Sequence, residues 1–379
     1  MRRSAARALL ALLSLTAVMN GRATVLPEDR VDFLWHRYQG GGVTIQGPAF
    51  LVRKKFAERV SLSAGYYEDM VSSASIDVLT TASPYKEKRK QFNFGADIVR
   101  GKTIYSLGYI DSNEPDYKAK TSSVGISQDM FGDLTTVTLG YQRGWNIVGE
   151  RGTPAFQERA DQWNYQIGLS QVVTRNLLLG ASYEAISQEG FLNNPYRSIR
   201  YLDPTAGSGF SFDREIYPRT RTSNAAAIRA RYYLPFRAAA YGEYRFYTDT
   251  WKIHAHTVQI GYTYPWRDIW LFDLSYRYYT QSNAEFYSDL FPRANFANFM
   301  ARDKELAAFK SHDIGAAVSY QFMTKSWHFL NKGTVNFHYD FVTYRYGDFR
   351  NILAGGGPGN EPLYSFNANV MQLFVSFWF

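Results

Sequence analysis

At 379 residues, with 45% hydrophobic residues, 20% charged residues and a formal net charge of +8, the chain has room for one large domain or two ordinary ones. It contains no cysteine, which excludes disulfides, thiolate metal sites and cysteine nucleophiles together. The mild basic excess gives no ground for a nucleic-acid partner, because such binders carry clustered basic faces.

The first element is not structural. "MRRSAAR" is a positive stretch, "ALLALLSLTAV" an apolar core of signal length, and Gly21-Arg22-Ala23 offers small residues at a cleavage site. Residues 1–23 therefore read as a secretory signal and 24–379 as a single domain. Losing Arg2, Arg3, Arg7 and Arg22 with no acid brings the net charge to +4. No later run approaches ~18 consecutive apolar residues, so membrane-spanning helices are not expected.

From Arg30 onward the chain alternates with period two in segments of about ten residues. The spacing predicts strands at 30–39, 43–54, 58–70, 89–99, 102–111, 117–129, 134–146 and 160–173. It continues with 176–187, 221–234, 238–249, 254–264, 269–282, 311–323, 333–346 and 364–379. In "IWLFDLSYRYYTQ", Trp270, Phe272, Leu274, Tyr276 and Tyr278 oppose Asp273, Ser275, Arg277 and Gln281. A soluble sandwich would alternate in the same way. The connections discriminate: those after even strands are short, such as "RG" and "PFRA". Those after odd strands include long ones, at roughly 71–88, 147–159, 188–220, 283–310 and 347–362. Sorting of loops by parity is the mark of an outer-membrane barrel with short periplasmic turns and long extracellular loops.

The expected fold is thus all-β: a closed antiparallel transmembrane barrel of about sixteen strands, in the outer membrane of a Gram-negative bacterium. In lipid every backbone donor and acceptor needs a partner, so strands can span only as a closed sheet. The aromatic-rich row, from a chain with 29 Tyr, 27 Phe and 8 Trp, would face lipid and the polar row the lumen. A barrel this wide is a water channel or is filled by its own loops.

With the polar parity inward, the lumen receives Asp97, Glu184, Arg229, Arg231, Glu243, Arg245, Asp273, Arg277, His338 and Asp340. Two readings stand side by side: a field that selects solutes, and ion pairs that hold the wall together. Arg229 and Arg231 face Glu243 and Arg245 across a short hairpin, which could form a basic ladder that draws anions. His338 and Asp340 share a face, and His254 and His256 share a parity, but spacing supplies neither with a third partner. No catalytic residue, cofactor or metal site is expected. Among the outer loops, "NFMARDKELAAF" suits a short helix, and the aromatic content favours loops folded inward as a constriction.

"YYEDMVSSASIDVLTTASPYKE", "RTRTSNAAAIRARYYLPFRAAAYGEYRFYTDTW" and "YSDLFPRANFANFMARDKEL" resemble the proteobacterial outer-membrane family known as domain of unknown function 3570. The resemblance covers nearly all of the mature chain and implies a closed barrel. It carries no catalytic residues across. It implies a supporting role in an envelope redox or export system, beside periplasmic lipoproteins, thioredoxin-like proteins and flavin-attaching enzymes.

The chain closes on "NVMQLFVSFWF", with Leu373, Val375, Phe377 and Phe379 on one parity. This last strand is expected to pair with the first, and its terminal aromatic resembles the signal read by the barrel assembly machinery. The expected function is a pore or specific transporter for a polar solute, with membrane lipid around it and a periplasmic partner beneath. The alternatives are a scaffold barrel plugged by its own loops and a barrel enzyme built on His338.

Overall fold

The computed structural model describes residues 25–72, 86–322 and 329–379. The expected signal segment, most of the hydroxyl-rich loop at 71–88, and His328 lie outside the described residues. The strands in chain order are β1 (Arg30–Gly40), β2 (Val43–Phe56), β3 (Val60–Ser72), β4 (Lys86–Arg100), β5 (Thr103–Glu114) and β6 (Tyr117–Met130). Next come β7 (Thr135–Glu150), β8 (Thr153–Val172), β9 (Leu177–Gly190), β10 (Ser198–Leu202), β11 (Phe210–Arg214) and β12 (Thr220–Tyr233). The series ends with β13 (Ala239–Asp249), β14 (His254–Trp266), β15 (Trp270–Gln281), β16 (Phe309–Phe322), β17 (Lys332–Arg350) and β18 (Leu363–Trp378).

All of these except β10 and β11 form one closed antiparallel barrel of sixteen strands, and β10 and β11 pair only with each other. Each predicted strand corresponds to one barrel strand. Closure is made by β1 and β18, in register from Arg30↔Trp378 to Gly40↔Ala368. The last strand therefore pairs with the first, as its hydrophobic parity requires.

Two faces follow from the alternation. On β14, Val258, Ile260, Tyr262, Tyr264 and Trp266 are exposed, while Thr257, Gln259, Gly261 and Thr263 between them are shielded. Exposed apolar residues continue around the wall, among them Phe94, Leu107, Ile167, Ile228, Leu274 and Ile314. In water so wide an apolar surface would drive association; in lipid it is the face a spanning barrel needs. Around the seam, Gln372 and Ser376 point inward and are buried, whereas Met371 and Leu373 face out.

The connections differ from expectation in three places. Residues 147–159, expected as a long loop, continue β7 and β8 to a two-residue turn at Arg151–Gly152. Gly152 takes φ 89°, which only glycine adopts cheaply. A register shift between Gly149 and Glu150 leaves Pro154 outside the regular ladder, where its missing N–H costs nothing. Inside the loop 191–219, β10 and β11 form a hairpin that no expectation included. "NFMARDKELAAF" is not helical: Met300 and Ile216 exchange backbone hydrogen bonds of 2.9 and 3.0 Å, so this backbone finds its partners in another loop rather than along a helix.

The end of the barrel that carries both described chain ends has short turns, as at Gly101–Lys102 and Arg267–Ile269. The opposite end, called upper here, carries the long loops 191–219, 282–308 and 351–362, but also the two-residue turns at Gly41–Gly42 and Arg151–Gly152.

Candidate functional site

The lumen is the concave surface available for function, and its upper part is filled by the chain itself. Inward aromatic side chains from β13, β16, β17 and β18 (Tyr247, Phe309, Tyr344, Tyr346, Tyr364 and Phe366) form a row just below the rim. Tyr344 and Phe366 stack at 4.6 Å. Against this row pack Ala284, Tyr287, Ala301, Leu306 and Ala307 from the loop 282–308, with Tyr217 and Trp251 from the neighbouring connections. Inside a barrel an aromatic row has no lipid to meet, so apolar loop residues cover it.

Three loops are knitted into this cap. Gln281 donates to the carbonyls of Glu305 and Ala307 at 3.0 and 2.8 Å, holding the loop 282–308 to the top of β15. That loop joins 191–219 through Leu202 N–H to Phe291 O at 2.9 Å and the Ile216–Met300 pair. Three buried arginines complete the lock. Arg302 reaches Asp289 at 2.9 Å and the carbonyl of Arg350 at 3.1 Å. Arg197 pairs with Asp303 and, at 3.2 Å, with Glu305. Arg200, 0% exposed, pairs with Glu361 from the loop 351–362. The inward-folded constriction expected of the two later long loops is present, and the arginines that fasten it are residues sequence reasoning did not single out.

Burial raises the energy of the Glu361 carboxylate, but the hydrogen bond and charge of Arg200 outweigh that and hold its pKa below the usual glutamate range. A lowered folded-state pKa contributes stability above the ordinary pKa that is lost as pH falls through the lowered one. The Arg200–Glu361 fastening of the loop 351–362 is therefore expected to loosen on acidification below the ordinary carboxylate range. Protease cleavage within 351–362, followed from neutral to acid pH, checks the sign. At the cap's centre, burial pushes the Tyr217 hydroxyl well above its ordinary pKa and Glu215 adds to the shift, so it stays a donor to Glu215 at 2.7 Å.

Below the cap, the predicted lumen residues are distributed around the wall rather than converging. Asp97 accepts from Ser106 Oγ at 2.6 Å. Glu184 accepts from Asn164 at 2.9 Å and Gln166 at 3.1 Å, and pairs with Arg245 at 3.3 Å. Arg229 pairs with Glu243. The expected basic ladder is thus two ion pairs on the wall, with only Arg231 beyond them, its guanidinium 5.6 Å from the Tyr241 ring. Asp273 accepts from Tyr241 and Thr263.

A second group lies on β15, β16 and β17, on the approach to the seam. Arg277 stands opposite Asp313 on β16, and His338 Nε2 lies 3.0 Å from Asp340 Oδ1. Gly315 makes room for them: a Cβ there would fall 2.5 Å from Asp340 Oδ1 and 2.6 Å from Ser275 Oγ. Across Gln372, which stands opposite His338 on one side and His36 on the other, the belt continues to a triad missed in the sequence. His36 Nε2 is 2.7 Å from Asp69, whose other oxygen is 2.8 Å from Arg89. Tyr67 stacks on the His36 ring at 4.8 Å. The signal was available: Val31, Phe33 and Trp35 make the outward row of β1, which turns His36 inward.

His254 and His256 do not face the lumen. Their rings pack against Phe246 on the outer wall at 6.4 and 5.2 Å, and Tyr244 hydrogen-bonds His256 at 2.8 Å. Carboxylate oxygens of Glu87, Glu114 and Asp116 lie within 4.8 Å of one another near the upper rim.

A family model described as "Protein of unknown function (DUF3570)" matches residues 142–345. No curated protein matches the sequence. Among solved structures, a "bacterial polysaccharide outer membrane secretin" aligns with TM-score 0.50 and 7% identity, over 93% of this chain and 100% of that one. A Pseudomonas aeruginosa FadL homologue aligns with TM-score 0.47 and 10% identity, over 96% of this chain and 94% of that one. At these identities the first likeness is one of fold.

Proposed function

We propose that this chain, which belongs to the family described as Protein of unknown function (DUF3570), is an outer-membrane pore or specific transporter for a polar solute, with its cap facing outward and its short turns in the periplasm. The observation that carries the reading is the contrast between the two halves of the lumen. Polar and charged side chains line the wall beneath the cap, whereas the upper part is narrowed by apolar loop residues on an aromatic row. A wall of that kind passes hydrated solutes, and a folded constriction selects among them. No covalent step belongs to this reading. His338 has Asp340 as its ion-pair partner, and ion-pair networks of this kind stiffen a barrel wall.

The wall residues Asp97, Glu184, Arg229, Glu243 and Arg245 act structurally in this proposal. Arg231 and Arg277, together with Asp273, shape the field that a solute meets. Replacing Arg277 with Glu, beside Asp313, is expected to shift reversal potentials in a salt gradient toward cations by a measurable fraction of the full cation-selective value. An unchanged reversal potential would remove Arg277 from the solute path.

A second reading is favoured by the buried Arg200–Glu361 and Arg302–Asp289 pairs: a plugged barrel that holds a periplasmic partner. Planar-bilayer recordings separate the two. Steps in the wild type, or in a variant with the cap loosened, support the pore. A closed baseline at all voltages in both supports the scaffold. Placement beside an envelope redox or export system is part of the proposal and rests on the family resemblance alone.

Leu373, Val375, Phe377 and Phe379 are assigned to recognition by the assembly machinery. Removing Phe379 is expected to lower the yield of folded barrel several-fold; full yield, judged by heat-modifiable migration in gels, would refute the assignment.

A further inference from the structure

On the outer wall just below the upper rim, cations collect on one sector. Lys88 and Lys90 on β4, Lys118 and Lys120 on β6, Arg143 on β7 and Arg159 on β8 all belong to outward rows. Lys88 and Lys90, for instance, are exposed between buried Glu87, Arg89 and Gln91. Among the described residues, the upper outward rows of the other eleven barrel strands bring only Arg37, Lys310 and Arg345. The clustering is therefore a property of β4–β8 and not of the rim in general.

The register gives the sector a pattern. At one level the strands place Lys90, Asn113, Lys118, Ile147 and Arg159 side by side. Cations recur on every second strand, which is about 10 Å at the usual strand spacing. One step closer to the membrane centre the row reads Phe92, Asp111, Lys120, Trp145 and Asp161. Below that come Phe94, Tyr109, Ser122, Arg143 and Trp163, and the two rows beneath, which begin at Ala96 and Ile98 on β4, are apolar throughout.

Half of the cations are already balanced. Lys88 lies 2.6 Å from Glu68, Lys120 3.9 Å from Asp111, and Arg143 3.2 Å from Asp161 with its guanidinium 3.7 Å from the Trp163 ring. Lys90, Lys118 and Arg159 make no ion pair among the described residues. Glu68, already paired with Lys88, stands opposite Lys90, so the line still carries a positive excess, and three cations in a line above an apolar wall are complementary to a ligand that carries spaced negative groups on an acylated body.

We propose that this sector binds a phosphorylated glycolipid of the outer leaflet, whose phosphates sit on Lys90, Lys118 and Arg159 and whose acyl chains lie on the apolar wall below. The proposal rests on the outer-membrane reading above and adds a specific lipid to it. Lys88, Lys120 and Arg143, held by their acids, frame the site. Trp145 and Trp163 supply the flat amphipathic surface found where headgroups meet hydrocarbon.

The test uses the full-length barrel in detergent with three probes: a bisphosphorylated acyl-glucosamine disaccharide lipid, its dephosphorylated form, and phosphatidylethanolamine, each followed by native mass spectrometry. The expected result is retention of the bisphosphorylated lipid alone. In the triple variant Lys90→Gln, Lys118→Gln, Arg159→Gln, affinity is expected to fall roughly a hundredfold, at about 1 kcal/mol for each cation near an anionic surface. The control Arg37→Gln, Lys310→Gln, Arg345→Gln, on β1, β16 and β17 outside the sector, is expected to bind as the wild type does. Equal binding of all three lipids, equal loss in both triple variants, or no loss in the first overturns the proposal. Both variants are checked for heat-modifiable migration, so that a folding failure is seen as such. Density-gradient fractionation of cell membranes tests the location separately: absence from the outer-membrane band refutes the reading beneath the proposal, whatever the purified protein binds.

Discussion

Replacing Arg200 with alanine is expected to convert a narrow or closed conductance into a wide one while leaving the barrel intact. Arg200 and Glu361 are 0% and 2% exposed, and they join the β10–β11 hairpin to the loop 351–362. Removing one partner of a buried pair leaves the other charge without compensation, at a cost of about 3–5 kcal/mol. Glu361 cannot be resolvated without moving its loop, which also releases the Arg350 guanidinium from the Glu361 carbonyl, 2.6 Å away. Neither residue belongs to a barrel strand that closes the sheet, so the wall should still resist denaturation. The measurement pairs bilayer conductance with limited proteolysis. A several-fold larger step together with cleavage in 351–362 supports a cap that governs passage. Cleavage without any change in conductance would show that the cap is ordered but does not stand in the solute path.

The other large effect is expected at Gly47, with the barrel itself as the readout. His36 on β1 reaches Asp69 on β3 across β2, and the residue between them, opposite His36 in register, is Gly47. A Cβ at that position would lie 1.8 Å from the Glu68 carbonyl oxygen. That atom is backbone and cannot rotate away, so Gly47→Val must separate β2 from β3 beside the seam. Gly47→Val is expected to abolish heat-modifiable migration, whereas Gly207→Ala, where a Cβ meets nothing within 4 Å, should leave it unchanged. Asp69→Ala gives an independent test. It leaves His36 and Arg89 facing each other in the wall, again at about 3–5 kcal/mol, and should lower the unfolding temperature of the assembled barrel. A stable Gly47→Val barrel would mean that β2 and β3 tolerate a separation that the backbone overlap with Glu68 forbids.

The strands were legible because a spanning barrel writes the same two-residue period onto every one, and each residue's face depends only on its immediate neighbours. Trp270 to Tyr278 on one parity and Asp273 to Gln281 on the other needed no knowledge of the rest of the chain. The β7–β8 hairpin was misread for the opposite reason. Gly149, Arg151, Gly152 and Pro154 together have the composition of a loop, although Gly152 alone makes the turn and a bulge accommodates the proline.

The cap was legible only as a tendency. Aromatic loops suggested inward folding, but Arg200 finds Glu361 and Arg197 finds Asp303 across long stretches of chain, and nothing local marks those partners. The same holds for "NFMARDKELAAF", whose helical composition is overridden by backbone pairing with Ile216. In the lumen, parity separates the charged rows from the apolar ones, whereas the difference between an open basic ladder and closed ion pairs depends on side-chain reach across strands.

The pairing of β1 with β18 has a kinetic meaning as well. Every other wall contact joins strands that follow one another in the chain or are separated by a single loop, so hairpins can form as soon as their residues are available. The contact from Arg30 to Trp378 must wait for the whole chain. Closing so long a loop costs entropy that grows only as the logarithm of its length, but the ends must find each other while fifteen strands hold apolar faces ready to associate. Folding of this protein should therefore show a late, slow phase in which an open sheet with two free edges becomes a cylinder. Aggregation competes during that interval, and a catalyst that shelters the two edges would accelerate the step without altering the final structure.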